Sequence, residues 1–269
     1  MHSIRIVTFN TWKCDGDYLK RIPVMVKQLV ALDADFIALQ ECFHTEDENY
    51  NTALSLASAL GMDCRLLSYR QKQRRIEAAV QDSYSGLAIL SKEPAQAEQH
   101  LSLPSVEEDG ERDGLLCTFS VNDMEIALAN LHLSHLRTAD ELRVNQLKIA
   151  LELIKKNPAQ CAFVCGDFNS SLALFKSANL IVPRGELVDA WQLFHGKPQS
   201  EPTVHVQHRD RGKEWESGAL DHILLLPNGN VAPKVIAATR VLQNKDSELD
   251  IYPSDHVGIC VDLSLEIKP

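Results

Sequence analysis

The chain has no long apolar run, no paired cysteines and no surplus of positive charge, and each absence narrows what it can be. No stretch approaches the roughly 20 apolar residues that cross a bilayer, so no transmembrane segment is expected. The first residues, Met1-His2-Ser3-Ile4-Arg5-Ile6-Val7, lack the basic region and following apolar stretch of a secretion signal. Seven cysteines (Cys14, Cys42, Cys64, Cys117, Cys161, Cys165 and Cys260) are scattered, odd in number and without a CxxC pair. That spacing argues against a zinc ribbon or a disulfide framework. Most of them sit in apolar surroundings, where free Cys behaves as a small hydrophobe, and a reducing cytoplasm is the expected location. A net charge of −10 argues against non-specific, high-affinity binding of duplex DNA, which rests on Lys and Arg neutralising phosphates. It leaves open a metal bridging a phosphate to carboxylates, because a bound cation reverses the local sign.

What is present is the composition of an ordinary globular protein. With no repeat, low-complexity tract or linker, one domain over residues 1–269 is expected, and as a monomer. Ile4 to Phe9 reads as a buried strand ending at Asn10-Thr11-Trp12, and Tyr18 to Leu32 as a helix with Ile22, Val26, Leu29 and Val30 on one face. Phe36–Leu39 is a second short apolar run, followed by Gln40-Glu41. Asn51 to Leu60 is a helix stopped by Gly61. Strand-like runs follow at Cys64–Tyr69, Ala78–Val80 and Gly86–Leu90, then a polar connection from Leu103 to Gly114. Leu115–Val121 and Glu125–Leu131 form a strand pair around Asn122-Asp123. Asp140 to Ile154 is the clearest helix, with Leu147, Ala150, Leu151 and Ile154 as its core stripe. Leu187–Phe194 fits a short helix, Gln199–Gly218 a long polar loop, and Leu220–Leu226, Val235–Val241 and Val257–Ile267 closing strands. Alternating strands and helices with several adjacent strands imply an α/β domain with mixed sheets.

The stretch from Ala162 to Ser171, AFVCGDFNSS, organises the functional reading. A buried strand ends in a Gly, and Asp167 and Asn169, two apart, project from its end to one side. An anionic acceptor beside an amide suits a hard cation next to an oxyanion. The same two residues could also form an Asx turn capping a helix near Ser171. The design recurs: Asn10 follows Ile4–Phe9, Glu41 follows Phe36–Leu39, His132 follows Ile126–Leu131, Asp221 precedes Ile223–Leu226, and Asp255-His256 precede the last strand. Any one of these has a bland explanation as a turn, a solvated strand end or a satisfied core histidine. Six polar groups at the edges of buried strands are how a rigid sheet carries a site.

The pieces TFNTW (Thr8–Trp12), ALQE (Ala38–Glu41), SGLAILS (Ser85–Ser91), NLHL (Asn130–Leu133), GDFN (Gly166–Asn169), LDHI (Leu220–Ile223) and SDH (Ser254–His256) together resemble the endonuclease/exonuclease/phosphatase superfamily, whose fold is shared with pancreatic deoxyribonuclease. The resemblance implies a four-layer α/β sandwich, two mixed sheets face to face with helices outside. It implies hydrolysis of a phosphate ester with Mg²⁺ or Mn²⁺. Residue by residue, Glu41 matches the main metal ligand, with Asn10 beside it. Asp167 and Asn169 match the pair at the nucleophile and phosphate, and His132 the histidine at the scissile phosphate. Asp221 and His256 match the Asp–His pair, and Asp255 the acidic residue beside it, placed with the metal. A hard cation held by carboxylate and amide oxygens neutralises the ester and the departing oxygen, and in-line attack by water is the expected course.

Three positions depart from the family pattern. Ala219 stands where many relatives carry Arg, His222 where many carry Tyr, and the segment Asp82–Ser85 shows no evident carboxylate partner for His132. His132-Leu133-Ser134-His135 with Arg143 and Gln146 resembles the bacterial hydrolase branch. Arg143 and Gln146 share a helix face, either as substrate contacts or as a solvated face. The loop from His205 to Trp215 offers Arg209 and Arg211 for phosphate and Trp215 for stacking, or is simply an exposed charged loop. The expected substrate is a small phosphodiester, a nucleotide or a short single strand. A DNA or RNA nuclease and a sphingomyelinase-type lipid phosphodiesterase are the alternatives within the chemistry, and a catalytically silent binding protein on this fold is the rival outside it.

Overall fold

The computed structural model describes residues 2–76, 79–180, 187–205, 218–227 and 231–267. Two six-stranded mixed sheets pack face to face. The first comprises β1 (His2–Asn10), β2 (Phe36–Thr45), β3 (Asp63–Ile76), β4 (Ala79–Ser91), β11 (Val231–Val241) and β12 (Gly258–Ile267), in the order β11-β12-β1-β2-β4-β3. The second comprises β5 (Ala97–Ser102), β6 (Asp113–Val121), β7 (Met124–His132), β8 (Cys161–Asp167), β9 (Val188–Asp189) and β10 (Asp221–Pro227), in the order β5-β6-β7-β8-β10-β9. Helices α1 (Tyr18–Val30) and α2 (Thr52–Leu60) cover the outer face of the first sheet through Met25, Leu29, Ala53 and Leu56. Helices α3 (Asp140–Ile154) and α4 (Leu172–Ser177) cover the second through Leu147, Leu151 and Phe175. A short α5 (Ala190–His195) adds Ala190 to the layer between the sheets. No helix among the described residues is long and apolar enough to cross a membrane.

Local chemistry explains most boundaries. Asn51 Oδ1 accepts from Leu54 N at 3.0 Å to cap α2, and Gly61, at φ 66°, ends it in the left-handed conformation that glycine adopts without a Cβ penalty. The β3–β4 hairpin runs well beyond the apolar segments Cys64–Tyr69 and Gly86–Leu90, because its far half is held by ladder pairing from Arg70↔Ser85 to Ile76↔Ala79 rather than by burial. Strand β5 carries only Leu101 as a buried side chain, too little apolar signal to mark it. Arg143 and Gln146 are not a solvated face of α3: both are buried.

The period-two alternation of strands sets the layer between the sheets, and its chemistry changes along each strand. On β1 the inward residues are Ile4, Ile6, Thr8 and Asn10; on β7 they are Ile126, Leu128, Asn130 and His132; on β8 they are Cys161, Phe163, Cys165 and Asp167. β10, antiparallel to β8, pairs Asp221 with Asp167. The layer is therefore hydrocarbon at one end, amide and hydroxyl in the middle, and ionisable at the other end. The middle tier is a hydrogen-bond set that spans the two sheets and leaves Gln40 Oε1 without a partner. Gln40 Nε2 donates to Asn130 Oδ1 (2.7 Å) and Thr8 Oγ1 (3.1 Å), and Asn130 Nδ2 donates to the carbonyls of Leu39 (2.8 Å) and Ala88 (2.9 Å). Gly166 lets β7 and β8 close at this level: at φ 149°, a Cβ there would lie 1.9 Å from Leu131 O.

Replacing Asn130 by Leu removes one of the three acceptors of Gln40 Nε2 and the side-chain donor to two carbonyls in a buried layer, so urea unfolding is expected to show a loss of about 2–3 kcal/mol with an unchanged m-value.

Candidate active site

Asn10, Glu41, His132, Asp167, Asn169, Asp221, Asp255 and His256 converge at the ionisable end of the inter-sheet layer. All but Asp221 line one cleft of about 600 Å³. Asp221 lies behind it, fully buried, and reaches the cleft through His256, whose Nδ1 is 2.8 Å from Asp221 Oδ2. Asp167 is the centre. Its Oδ2 accepts from Asn10 Nδ2 across the two sheets at 3.0 Å and lies 3.6 Å from His132 Nε2 and 3.8 Å from His256 Nε2. Its Oδ1 accepts from Asn169 N at 2.9 Å, and Asn169 Nδ2 donates to Leu133 O at 3.0 Å. The Asx turn and the site are thus the same structure: one carboxylate oxygen closes the turn and the other faces the histidines. Ser171, at the start of α4, makes no side-chain cap.

Glu41 lies where the β2–β4 register shifts between Leu39 and Cys42, and its backbone is left-handed at φ 56°. Trp12 (58°), Lys13 (40°) and Asn169 (48°) share that conformation, which costs a non-glycine residue about 1–2 kcal/mol and clusters where function demands a particular aim. Lys13 Nζ stands 3.1 Å from Glu41 Oε2. The loop that carries Lys13 is fastened by the buried Arg21, whose guanidinium donates to the carbonyls of Thr11, Trp12, Lys13, Asp15 and Pro253 at 2.9–3.0 Å. Ser254 Oγ donates to Asn10 O at 2.7 Å and ties the Asp255-His256 segment to the end of β1.

The electrostatics separate the roles. Burial, reinforced by the Asp221 charge, raises the Asp167 carboxyl to about 7. Burial and the Glu41 charge raise half-buried Asp255 to about 6. Burial opposes the charge on His256, but Asp221, Asp255 and Asp167 outweigh it and hold the imidazole well above its ordinary value. Burial and the Arg112 charge push His132 well below its ordinary value, so it is neutral. Burial opposes ionisation of Glu41, yet the Lys13 ammonium beside it, helped by the His256 imidazolium, holds its carboxyl below its ordinary value. Carboxylate oxygens of Asp167 and Asp221 and a ring nitrogen of His256 lie within 4.8 Å of one another. Because His256 is committed to Asp221, that trio reads as an acid–base relay, while Glu41, Asp255 and Asn10 surround the place a cation would take. Four carboxylates here face one imidazolium and one ammonium, and Asp221 Oδ1 has no hydrogen-bond partner. That surplus of hard oxygen donors fits a divalent cation. Asn10 Oδ1 already accepts from Trp12 N at 2.9 Å, which leaves its second lone pair.

Not every expected residue is in the cleft. Arg143 is a scaffold residue rather than a substrate contact: its guanidinium is buried and donates to Ser134 O (2.9 Å) and Leu136 O (2.7 Å). Gln146 accepts from Ser134 N at 2.9 Å, so both hold the loop after β7. Arg209, Arg211 and Trp215 lie outside the described residues. Two groups escaped the sequence reading. One is Asp109–Arg112, buried and bidentate (3.0 and 2.7 Å), with His135 Nδ1 2.5 Å from Asp109 and Arg112 Nη1 donating to His132 O at 3.4 Å. Nothing in the polar 103–114 segment marks it. The other is a row of cations on β3, Arg70, Lys72, Arg74 and Arg75, along the cleft wall. The alternation Arg70-Gln71-Lys72-Gln73-Arg74 was its signal. His222, where relatives often carry Tyr, lies against the edge of Phe168 and bonds Ser170 O at 3.1 Å.

A family model described as Endonuclease/Exonuclease/phosphatase family matches residues 7–256. No curated protein matches the sequence at a significant level. Among solved structures, D. rerio TDP2 complexed with single strand DNA product superposes with a TM-score of 0.76 at 16% identity, covering 98% of this chain and 100% of that one. The human Nocturnin catalytic domain with bound sulfate anion gives 0.73 at 20% identity, covering 98% and 94%. An endonuclease/exonuclease/phosphatase from Beutenbergia cavernae gives 0.73 at 20%, covering 98% and 72%. At these identities the superpositions establish the fold.

The raised values at Asp167 and His256 mean that the native state retains protons the unfolded chain has released. Their stabilisation is present at low pH and lost as pH rises through the native values. Above about pH 7 the buried neutral imidazoles of His132 and His222 no longer oppose this, since unfolded His is then neutral as well. Metal-free protein is expected to lose stability between pH 7 and pH 8.5, and Asp221→Asn to flatten the dependence in thermal melts recorded in EDTA.

Proposed function

The chain belongs to the endonuclease/exonuclease/phosphatase family, divalent-metal-dependent phosphoesterases, and from that premise we propose that it hydrolyses a phosphodiester with Mg²⁺ or Mn²⁺. The observation that carries this reading is the single cleft in which a near-neutral carboxyl, Asp167, lies between an imidazolium, His256, and a neutral imidazole, His132. A base is most effective when its pKa is close to the working pH, and Asp167 at about 7 meets that condition. It orients the attacking water and takes its proton as the oxygen adds to phosphorus. His256, fixed by Asp221, donates a hydrogen bond to a non-bridging phosphoryl oxygen, and His132 Nε2–H donates to another. Asn10 holds Asp167 in place, and Asn169 keeps the turn that aims it. A divalent cation seated by Glu41, with Asp255 and Asn10, would supply neutralisation of the ester and of the charge on the departing oxygen. The P–O bond to the departing alcohol breaks as the new one forms, in line.

The substrate is read as a small diester, a nucleotide or a short single strand. A TDP2 complexed with a single-strand DNA product and a Nocturnin catalytic domain with a bound sulfate anion support a phosphate-bearing ligand for this fold.

Hydrolysis of bis(p-nitrophenyl) phosphate with Mg²⁺ or Mn²⁺ is expected from the wild-type protein. Glu41→Gln, Asp167→Asn and His256→Ala should each lower kcat/KM by at least about 10²-fold. Full activity in all three would rule the assignment out. Mg²⁺ at 100 times its Kd should stabilise the wild-type protein by about 2.7 kcal/mol, and Glu41→Gln should lose that gain.

A further inference from the structure

The cleft is far more cationic than the molecule around it. The protein carries a net charge of −10, yet one wall of the cleft is a column of four cations on the edge strand β3. Arg70, Lys72 and Arg74 are alternate residues, so they project to one side of the strand at steps of about 6.7 Å. Arg75 adds a fourth charge at the far end. The other cleft cations are neutralised locally: Lys13 by Glu41 and Asp15, and Arg112 by Asp109. The column is not. Arg70 donates to Asp109 O at 2.7 Å and leaves a buried Nε without a partner. Arg74 donates to the hydroxyls of Ser83 (3.0 Å) and Ser85 (2.9 Å). Lys72 and Arg75 are exposed, and neither has an ion-pair partner among the described residues. Repulsion from Arg70, followed by burial, pulls the Lys72 ammonium below its ordinary value, in keeping with a positive local field.

We infer that Arg70, Lys72, Arg74 and Arg75 form a subsite for the phosphates that flank the scissile one on a single-stranded oligonucleotide. This rests on the phosphodiesterase reading of the adjacent centre. The spacing selects the ligand class. Phosphates of a pyrophosphate share one bridging oxygen and lie far closer together than alternate residues on a strand, whereas phosphates along a nucleic-acid backbone are separated by a sugar. One row of cations follows one backbone. A duplex presents two and draws its affinity from a broad positive face, which a chain of net charge −10 does not offer. The hydroxyl and carbonyl contacts of Arg74 and Arg70 hold their guanidinium groups without cancelling the charge, so the column is set before ligand arrives.

The test is fluorescence anisotropy with 5′-labelled, hydrolysis-resistant phosphorothioate oligodeoxynucleotides of one, two, four and eight residues, and with an eight-base-pair duplex, over a range of salt. Binding by the wild-type protein should tighten with single-strand length up to about four phosphates. The slope of log K against log salt should steepen by about 0.7 for each phosphate engaged. Lys72→Ala with Arg75→Ala, both at exposed positions, should weaken binding of the eight-residue strand about tenfold and reduce that slope by about 1.4. Lys148→Ala, exposed on α3, should match wild type. An unchanged slope in the double variant, equal affinity for one and eight residues, or tighter binding of the duplex would each overturn the subsite. Because binding is read without turnover, failure of the subsite is distinct from failure of the catalytic reading, which hydrolysis of the small diester tests by itself.

Discussion

Two amides decide where everything else falls. Gln40 and Asn130 are buried between the sheets and bonded to each other at 2.7 Å. A buried amide without partners costs about 1–3 kcal/mol, so the sheets are driven to the register in which Gln40 Nε2 and both polar atoms of the Asn130 amide find partners. A slip of one residue on either strand would turn the amides outward and bring apolar residues to the charged end. In the native register, Asn10 meets Asp167 at 3.0 Å across the sheets, and Glu41, His132 and His256 arrive around them. The hydrophobic layer below supplies the stability, and the amide tier supplies the alignment.

The charged end is expensive to keep. Asp167 and Asp221 face each other on paired strands, Asp255 lies close to Glu41, and four non-glycine residues beside them are left-handed. Burial without a partner penalises each charge, and the molecule answers with shared protons, with Lys13 on Glu41, and with the Arg21 clamp on five carbonyls. A structural protein gains nothing from this arrangement. A metal-assisted esterase needs it, because carboxylates poised near neutrality and a bound cation are what the chemistry uses.

The legible part of the sequence was the part governed by alternation. Three site residues continue the inward-facing row of a buried strand: Asn10, His132 and Asp167 are the next members of Ile4-Ile6-Thr8, Ile126-Leu128-Asn130 and Cys161-Phe163-Cys165. Helix α3 was legible from residue to residue for the same reason, with a 3.6 period in place of two. What alternation does not encode was missed. Asp109 and Arg112 meet only after the 103–112 segment folds across the end of β7. The far half of β3 is a strand with no buried face except Ile76, so no apolar alternation marks its cations as part of a strand. Arg143 fits neither reading of its helix face, substrate contact or solvated face, because the carbonyls of Ser134 and Leu136 give it partners inside.

Attack of water on phosphorus within the Asp167–His256–His132 cluster is most directly tested by one turnover in ¹⁸O-labelled water with excess enzyme, Mg²⁺ and a dinucleotide diester, followed by mass spectrometry of both products. One ¹⁸O atom should appear in the phosphoryl product and none in the alcohol. Label in the alcohol, or a phosphoryl product free of label, would mean that the bond is broken by another route.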